Sequence, residues 1–472
     1  MARIPTIPRR HWDRQLAAHL AVRAGFGPTP SELDRLEKMT PEQAVDAMLI
    51  PPPDPSPNPF PDWFAEPEAS NRFPNGLSRR EFQAQPPDRK QALRQEFNRH
   101  NRKQLEEGRH TWLERMVTTS FPLREKLTLF LHGHFATSAQ KVQAAYPMLS
   151  QNQLFREKAF GPWIDLLEGV SKDPAMLVYL DNARSSKRSP NENYAREVME
   201  LFTLGEGHYS EEDIQSAARS FAGWSIDDSR WTFTVREPWV DHGFKRFMGQ
   251  SGRFDGRDIL DIILKQPQAS RFLAERLWSF FGSEIHNESV IRLLDRQLVE
   301  SGYDLTSTLR VLFLHRDFYA PDIIRGQIKS PVQLTVHLAR TLNPAFSDYK
   351  LLSQACRQLG QLLFQPPSVK GWDGGASWIT ASSLALRYQF TDRLLKQKGA
   401  VDADQLFPDR SITRIQAREQ LFDHFFHHPL REQDQGAFDR MLKALPPPSD
   451  WTRNDTVHIL SSLTRQPQFQ LT

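Results

Sequence analysis

Apolar residues recur at helical spacing along most of the chain and at a spacing of two in one place only. Side chains three and four apart share one face of a helix, whereas side chains two apart share one face of a strand, so the pattern predicts a mainly α protein. Residues 11–50 read as short helices. Two of their starts are Thr29-Pro30-Ser31-Glu32 and Thr40-Pro41-Glu42-Gln43, each with proline in the first turn. Further helices are predicted over 87–119, 122–135, 152–167, 174–180 and 190–204, the last ended by Gly205 at a position suited to a left-handed residue. Another start lies at Ser210, and helical pattern returns over 256–265, 270–281, 289–300, 305–314 and 330–342. The exception is Trp231, Phe233 and Val235, which alternate with Thr232 and Thr234. Together with 244–248 they predict one β-hairpin, closed by a loop that carries Asp241, His242 and Gly243. The expected fold class is a multi-helical orthogonal bundle with one small β-hairpin insertion at about 225–248.

Breaks in the pattern divide the chain. The run PPPDPSPNPFPDWF at 51–64 holds the backbone extended and removes its donors, which makes it a linker or a strap across the surface. The expected organisation is N-terminal helices at 1–50 packed on the main domain, a Pro-rich strap at 51–86, a main helical domain at 87–395, and C-terminal helices at 396–472. The 87–119 helix is dense in charge, but basic residues such as Arg89, Lys90 and Arg94 interleave with Glu96, Glu106 and Glu107. Mixed signs at helical spacing describe a solvated face.

Composition narrows the function classes. Hydrophobic residues make up 39% and charged residues 25% of 472, and 31 Phe with 11 Trp supply large buried surfaces despite a mean hydropathy of -0.57. A formal net charge of +3 is too small at this size to argue a nucleic-acid partner. The single Cys356 excludes an intramolecular disulfide framework and a cysteine-based zinc site. No stretch approaches the roughly 18 apolar residues of a membrane span. Arg9 and Arg10 are followed at once by Trp12, Asp13 and Arg14 rather than by an apolar run, so no cleaved signal peptide is expected and the chain reads as cytoplasmic.

The densest polar constellation is PNENYAREVMELFTLGEGHY at 190–209. Ser189 and Glu192 fit a capping box around Pro190. Asn193, Arg196, Glu197 and Glu200 then fall at i, i+3, i+4 and i+7, one stripe of the helix, with Glu206 and His208 in a glycine-framed exit loop. The plain alternative is a wet outer face. His132 and His134 form a second candidate: if Gly133 ends the helix, both imidazoles converge on one ion, with Glu197, Glu200, His208 or His242 as further ligands. The alternative is a His that caps helix carbonyls. His242 in the hairpin loop is a third candidate, and Trp372 in the glycine-rich Lys370–Gly375 loop is a fourth, suited to stacking on a sugar ring or to anchoring the loop.

Five segments resemble, in order, the large bacterial family catalogued as domain of unknown function 1800. They are 20–33 (LAVRAGFGPTPSEL), 123–138, 190–224, 242–256 and 359–384, spanning about residues 11–395. The pair REKLTLFLHGHFATS and NENYAREVMELFTLGEGHYSEEDI carries most of the specificity. The family more usually reads WHNHF where this chain has Leu131 and Gly133, and Asp-Pro where it has Gly243. The resemblance implies no activity. It implies a bacterial context beside a sulfatase-like family, domain of unknown function 1501, whose members often carry export signals. Such a protein would be a partner, and periplasmic export as its passenger is the alternative to the cytoplasm.

These residues lead to an expected hydrolase acting on a polar polymer such as a glycan. Glu197, Glu200, Arg196 and His242 would be catalytic, and Asn191, Asn193, His208 and Trp372 would bind substrate. His132 and His134 would hold a divalent metal that activates water, or the two Glu would work as acid and base without metal. The competing expectation is a non-catalytic accessory of the sulfatase-like protein, with the polar cluster purely structural.

Overall fold

The computed structural model of the chain describes all residues except 1–4, 51–59, 343–347, 402–405, 408, 410 and 428–431. The protein is mainly α with a small β insertion. The cap signals behave as read. Thr29 and Thr40 each accept the backbone N–H of the third helical residue, and Glu32 and Gln43 accept the cap N–H in return, which opens the helices Pro30–Lys38 and Pro41–Leu49. The 32-residue helix Pro87–Thr118 stops before Pro122, which begins the helix Pro122–His134. Where the pattern predicts one helix over 152–167, two form, Ala145–Lys158 and Trp163–Ser171. Gly161-Pro162 lies between them, and the residue before a proline is pushed out of the helical region.

The β insertion is two hairpins rather than one. Strand β1 (Trp224–Ile226) pairs antiparallel with β2 (Phe233–Val235), and β3 (Lys245–Phe247) pairs with β4 (Gln250–Gly252). The alternating stretch thus takes its partner upstream. Asp227 closes the first turn by accepting the N–H groups of Ser229 and Arg230. The Pro-rich run falls largely on residues outside those described. From Phe60 onward the chain lies across the surface: Phe64 stacks on Tyr146 at 5.1 Å, and Ser70 and Arg72 exchange backbone bonds with Trp231 and Ser229.

Two hydrophobic cores organise the molecule. The first gathers the N-terminal helices and residues 123–323, and the second gathers 112–149 with 332–469, including the C-terminal helices. The Pro122–His134 helix serves both, giving Leu123, Leu127, Phe130 and Leu131 to the first and Leu129 to the second. A buried ion network holds this helix in place. Glu125, 1% exposed, accepts from Arg115 at 2.9 Å, from Arg156 at 2.9 and 2.7 Å, and from the Trp112 indole at 2.9 Å.

Candidate functional site

The 190–209 stretch does not present its polar residues as one stripe. Asn191, not Ser189, caps the helix: its Oδ1 accepts the Tyr194 N–H at 3.1 Å and its Nδ2 donates to the Leu180 carbonyl at 2.7 Å. The α-helix runs over Glu192–Glu197 and then widens into a π-helix over Val198–Thr203, with Leu204 N–H reaching the Met199 carbonyl five residues back. A π turn rotates each residue by less than the 100° of an α turn, so Glu200 leaves the line of Arg196 and Glu197. Arg196 turns outward to pair bidentately with Glu211 at 3.0–3.1 Å. Glu200 accepts the Tyr209 hydroxyl at 2.7 Å. Glu197 is half-buried beside Tyr179 and Lys370; burial and the neighbouring Glu200 charge push its carboxyl above the usual range, against the pull of Lys370. Asn193 is exposed.

His132 and His134 do not converge. Gly133 does not end the helix, which continues through His134, so residues two apart point to opposite sides. His132 Nε2 accepts the Phe364 N–H at 2.9 Å, inside a ring of Trp112, Phe364 and Trp372. His134 Nε2 instead donates to the Phe202 carbonyl at 3.0 Å, closing the end of the π-helix. One ring therefore carries its proton on Nδ1 and the other on Nε2. Burial pushes both imidazoles down to about 3 and keeps them neutral. The two imidazoles expected to share one ion thus stand apart, each Nε2 already bonded, in a different core. Among the described residues no group of three or more His, Cys, Asp or Glu is placed to hold a metal ion. His208 is exposed, and His242 is 75% exposed with Glu237 at 3.7 Å, so neither meets the histidine pair.

The side chains that do come together line a cavity of about 220 Å³ at the seam of the two cores. One wall is Leu129, Phe130, Gly133 and His134, from the shared helix. A second wall is the end of the helix Pro267–Leu277, which like the 192–203 helix passes into a π-helix, Trp278–Gly282. This wall supplies Arg276, Ser279, Phe280 and Glu284. The third is the glycine-rich loop with Lys370, Trp372 and Asp373, backed by Gln333, Gln361 and Trp378. Gly371, at φ +81, lets that loop sit on the shared helix: a Cβ there would stand 2.4 Å from the Gly133 carbonyl oxygen. Gly375 does the same for Glu284, whose carboxylate would lie within 2.4 Å of an added Cβ. The two π segments are neighbours, since Gly205 packs on Phe272, whose ring lies beside the Arg276 guanidinium at 5.9 Å.

Arg276 has no hydrogen-bond or ion-pair partner among the described residues. Its guanidinium is reached by water yet set in a concavity of protein atoms, and this partial desolvation lowers its pKa. Trp372 Nε1 and His134 Nδ1 are buried without partners. Of the sequence candidates, Trp372 and His134 line the cavity; Glu197 is not part of its lining but feels the charge of Lys370, which is. Asn191 and Arg196 are held in structural bonds, and His242 lies on a surface loop. Sequence reasoning missed Arg276, Glu284, Gln333 and Gln361. The one local signal was the odd polarity of Arg276 and Ser279 in an otherwise amphipathic helix, and it does not tell a cavity from solvent.

No curated protein and no solved structure matches the chain. Its family model is that of Protein of unknown function (DUF1800), which matches residues 19–471, nearly all of the 472, and the chain belongs to that family.

Proposed function

We propose that the protein is a hydrolase-type enzyme that takes a segment of a polar polymer such as a glycan into the seam cavity. The observation that carries this reading is Glu197, a carboxyl made less acidic by burial and by Glu200, which feels the charge of Lys370 in the wall of a cavity lined by Trp372 and Trp378. A carboxyl with a raised pKa next to a second carboxylate is the arrangement that splits acid and base roles between two like groups. Glu197 gives its proton to the leaving glycosidic oxygen as that bond breaks. A water adds its hydroxyl to the anomeric carbon, and Glu200 takes the remaining proton. The indole of Trp372 offers a face to a sugar ring. The reaction class is tested by reducing-end release from a panel of neutral and acidic polysaccharides. Wild type is expected to release ends, and Glu197→Gln to lose roughly 100-fold or more, as for removal of a general acid. Equal rates for the two proteins, or no release from any polymer, would overturn the hydrolase reading.

A second reading keeps the cavity and drops the chemistry. It is favoured by the structural commitment of Asn191, Arg196, His132 and His134. In it the protein is a non-catalytic accessory of the sulfatase-like partner, either cytoplasmic or exported as that partner's passenger. Among the described residues no helix is long and apolar enough to cross a membrane, which fits either compartment. Fractionation with the partner co-expressed decides: chain found only in the cytosol excludes the passenger.

A further inference from the structure

We infer that the seam cavity selects an acidic saccharide, with the oxyanion of a carboxylate or sulfate ester seated on Arg276. This rests on the polymer-site reading above but not on its chemistry.

Four donors in the cavity have no acceptor among the described residues. Arg276 makes no hydrogen bond or ion pair, although Glu284 and Asp373 line the same space. Trp372 Nε1 is buried and unpartnered. The other two are amides whose orientation is fixed by what they already bind. Gln361 Oε1 accepts the Val332 N–H at 2.9 Å, and Gln333 Oε1 accepts the Ser330 N–H at 2.8 Å. A backbone N–H can only donate, so in both amides the oxygen is used and the NH2 group is left over. Gln361 is 5% exposed, so its amide belongs to the cavity and not to the surface.

The Arg276 side chain is exposed, and its guanidinium, set among the cavity walls without a hydrogen-bond or ion-pair partner among the described residues, is open to an anion. Carboxylate and sulfate oxygens match its fork geometry and bring the missing charge. The acceptors argue that the ligand is more than a bare anion. Gln327 Nε2 donates to the Ser279 carbonyl at 2.7 Å, which leaves its Oε1 as an acceptor. Glu284 and Asp373 add carboxylates without ion pairs among the described residues. Acceptors of this kind suit ligand hydroxyls, and the Trp372 and Trp378 rings suit the apolar face of a pyranose. Oxyanion, hydroxyls and ring face together describe an acidic sugar.

The test is calorimetric titration of the full chain with uronate, sulfated and neutral oligosaccharides of equal length, and with inorganic sulfate alone. Acidic oligomers are expected to bind at least about tenfold tighter than neutral ones, a preference that weakens with salt. Arg276→Gln is expected to erase that preference while leaving the thermal midpoint unchanged, since the exposed side chain makes no hydrogen bond or ion pair among the described residues. Arg246→Gln, which removes an exposed cation outside the cavity lining, is expected to retain the preference, and this guards against reading a general loss of charge or a folding defect as a binding one. The uronate and sulfated arms decide which oxyanion is preferred. Equal affinity for neutral and acidic oligomers, or an unchanged preference in Arg276→Gln, would overturn the proposal. Inorganic sulfate binding as tightly as the sulfated oligomer would also overturn it, by reducing the site to a small-anion pocket. Acid-selective binding without reducing-end release would instead overturn the hydrolase reading and leave this one standing.

Discussion

Glu125 sits between Arg115, Arg156 and the Trp112 indole, on a helix that both cores share. Burial opposes its ionisation, but the two guanidinium groups outweigh burial and hold the carboxyl below its usual value of 4.5. A carboxyl held low in the folded chain binds its proton less readily than in the unfolded chain. Its contribution to stability is therefore present above the unfolded value and is lost as pH falls through the lower, folded one. Glu125→Gln takes the counter-charge from the buried Arg156 and is expected to cost about 3–5 kcal/mol. Urea unfolding at pH 7 measures this, and the gap between variant and wild type should narrow in acid. None of this was visible in REKLTLFLHGHFATS. The partners that bury it lie 10 and 31 positions away. His132 and His134 failed to be read for a related reason. Their spacing was plain, but the side each ring faces depended on whether Gly133 ended the helix.

At the scale of elements, what a local rule controls was legible. The helix starts at Thr29, Thr40 and Ser210 and the long 87–118 helix follow from neighbours three or four residues apart, and the position of the β insertion from neighbours two apart. Two features escaped because no local rule encodes them. The π segments Val198–Thr203 and Trp278–Gly282 break the 100° periodicity that had aligned Glu200 with Arg196. The pairing of β2 with β1 rather than with β3 is a choice among three strands of three residues each. The contact between the glycine-rich loop and the shared helix gives a paired test. Gly371→Ala places a Cβ against the Gly133 carbonyl in a left-handed backbone and is expected to cost about 1–3 kcal/mol. Gly133→Ala, one contact away, meets nothing within 4 Å and removes a glycine from a helix, so it is expected to be neutral or to stabilise by up to roughly 1 kcal/mol. Thermal midpoints measure both, and Trp372 fluorescence should change only in Gly371→Ala.

At the scale of the molecule, the two cores share several helices, Pro122–His134 among them, and the cavity opens against that one. Ligand sites gather at such seams because two separately packed bodies leave a concavity that neither fills. The position of the site is therefore a property of the whole chain, which is why the 190–209 constellation pointed near it without locating it. Glu197 and Trp372 were already candidates in the sequence; Arg276, Glu284 and the two amides come forward only with the fold. A ligand bridging the seam would hold the second π segment and the glycine-rich loop together, and this is the most direct handle on the account. Amide hydrogen exchange on the Glu197→Gln protein, with and without a saturating acidic oligosaccharide, reads it out segment by segment. Slower exchange is expected in 276–284 and 366–378 together, and not in the exposed 241–243 loop. Unchanged exchange in both of those segments, with protection elsewhere or nowhere, would contradict the claim that the seam cavity is the functional site.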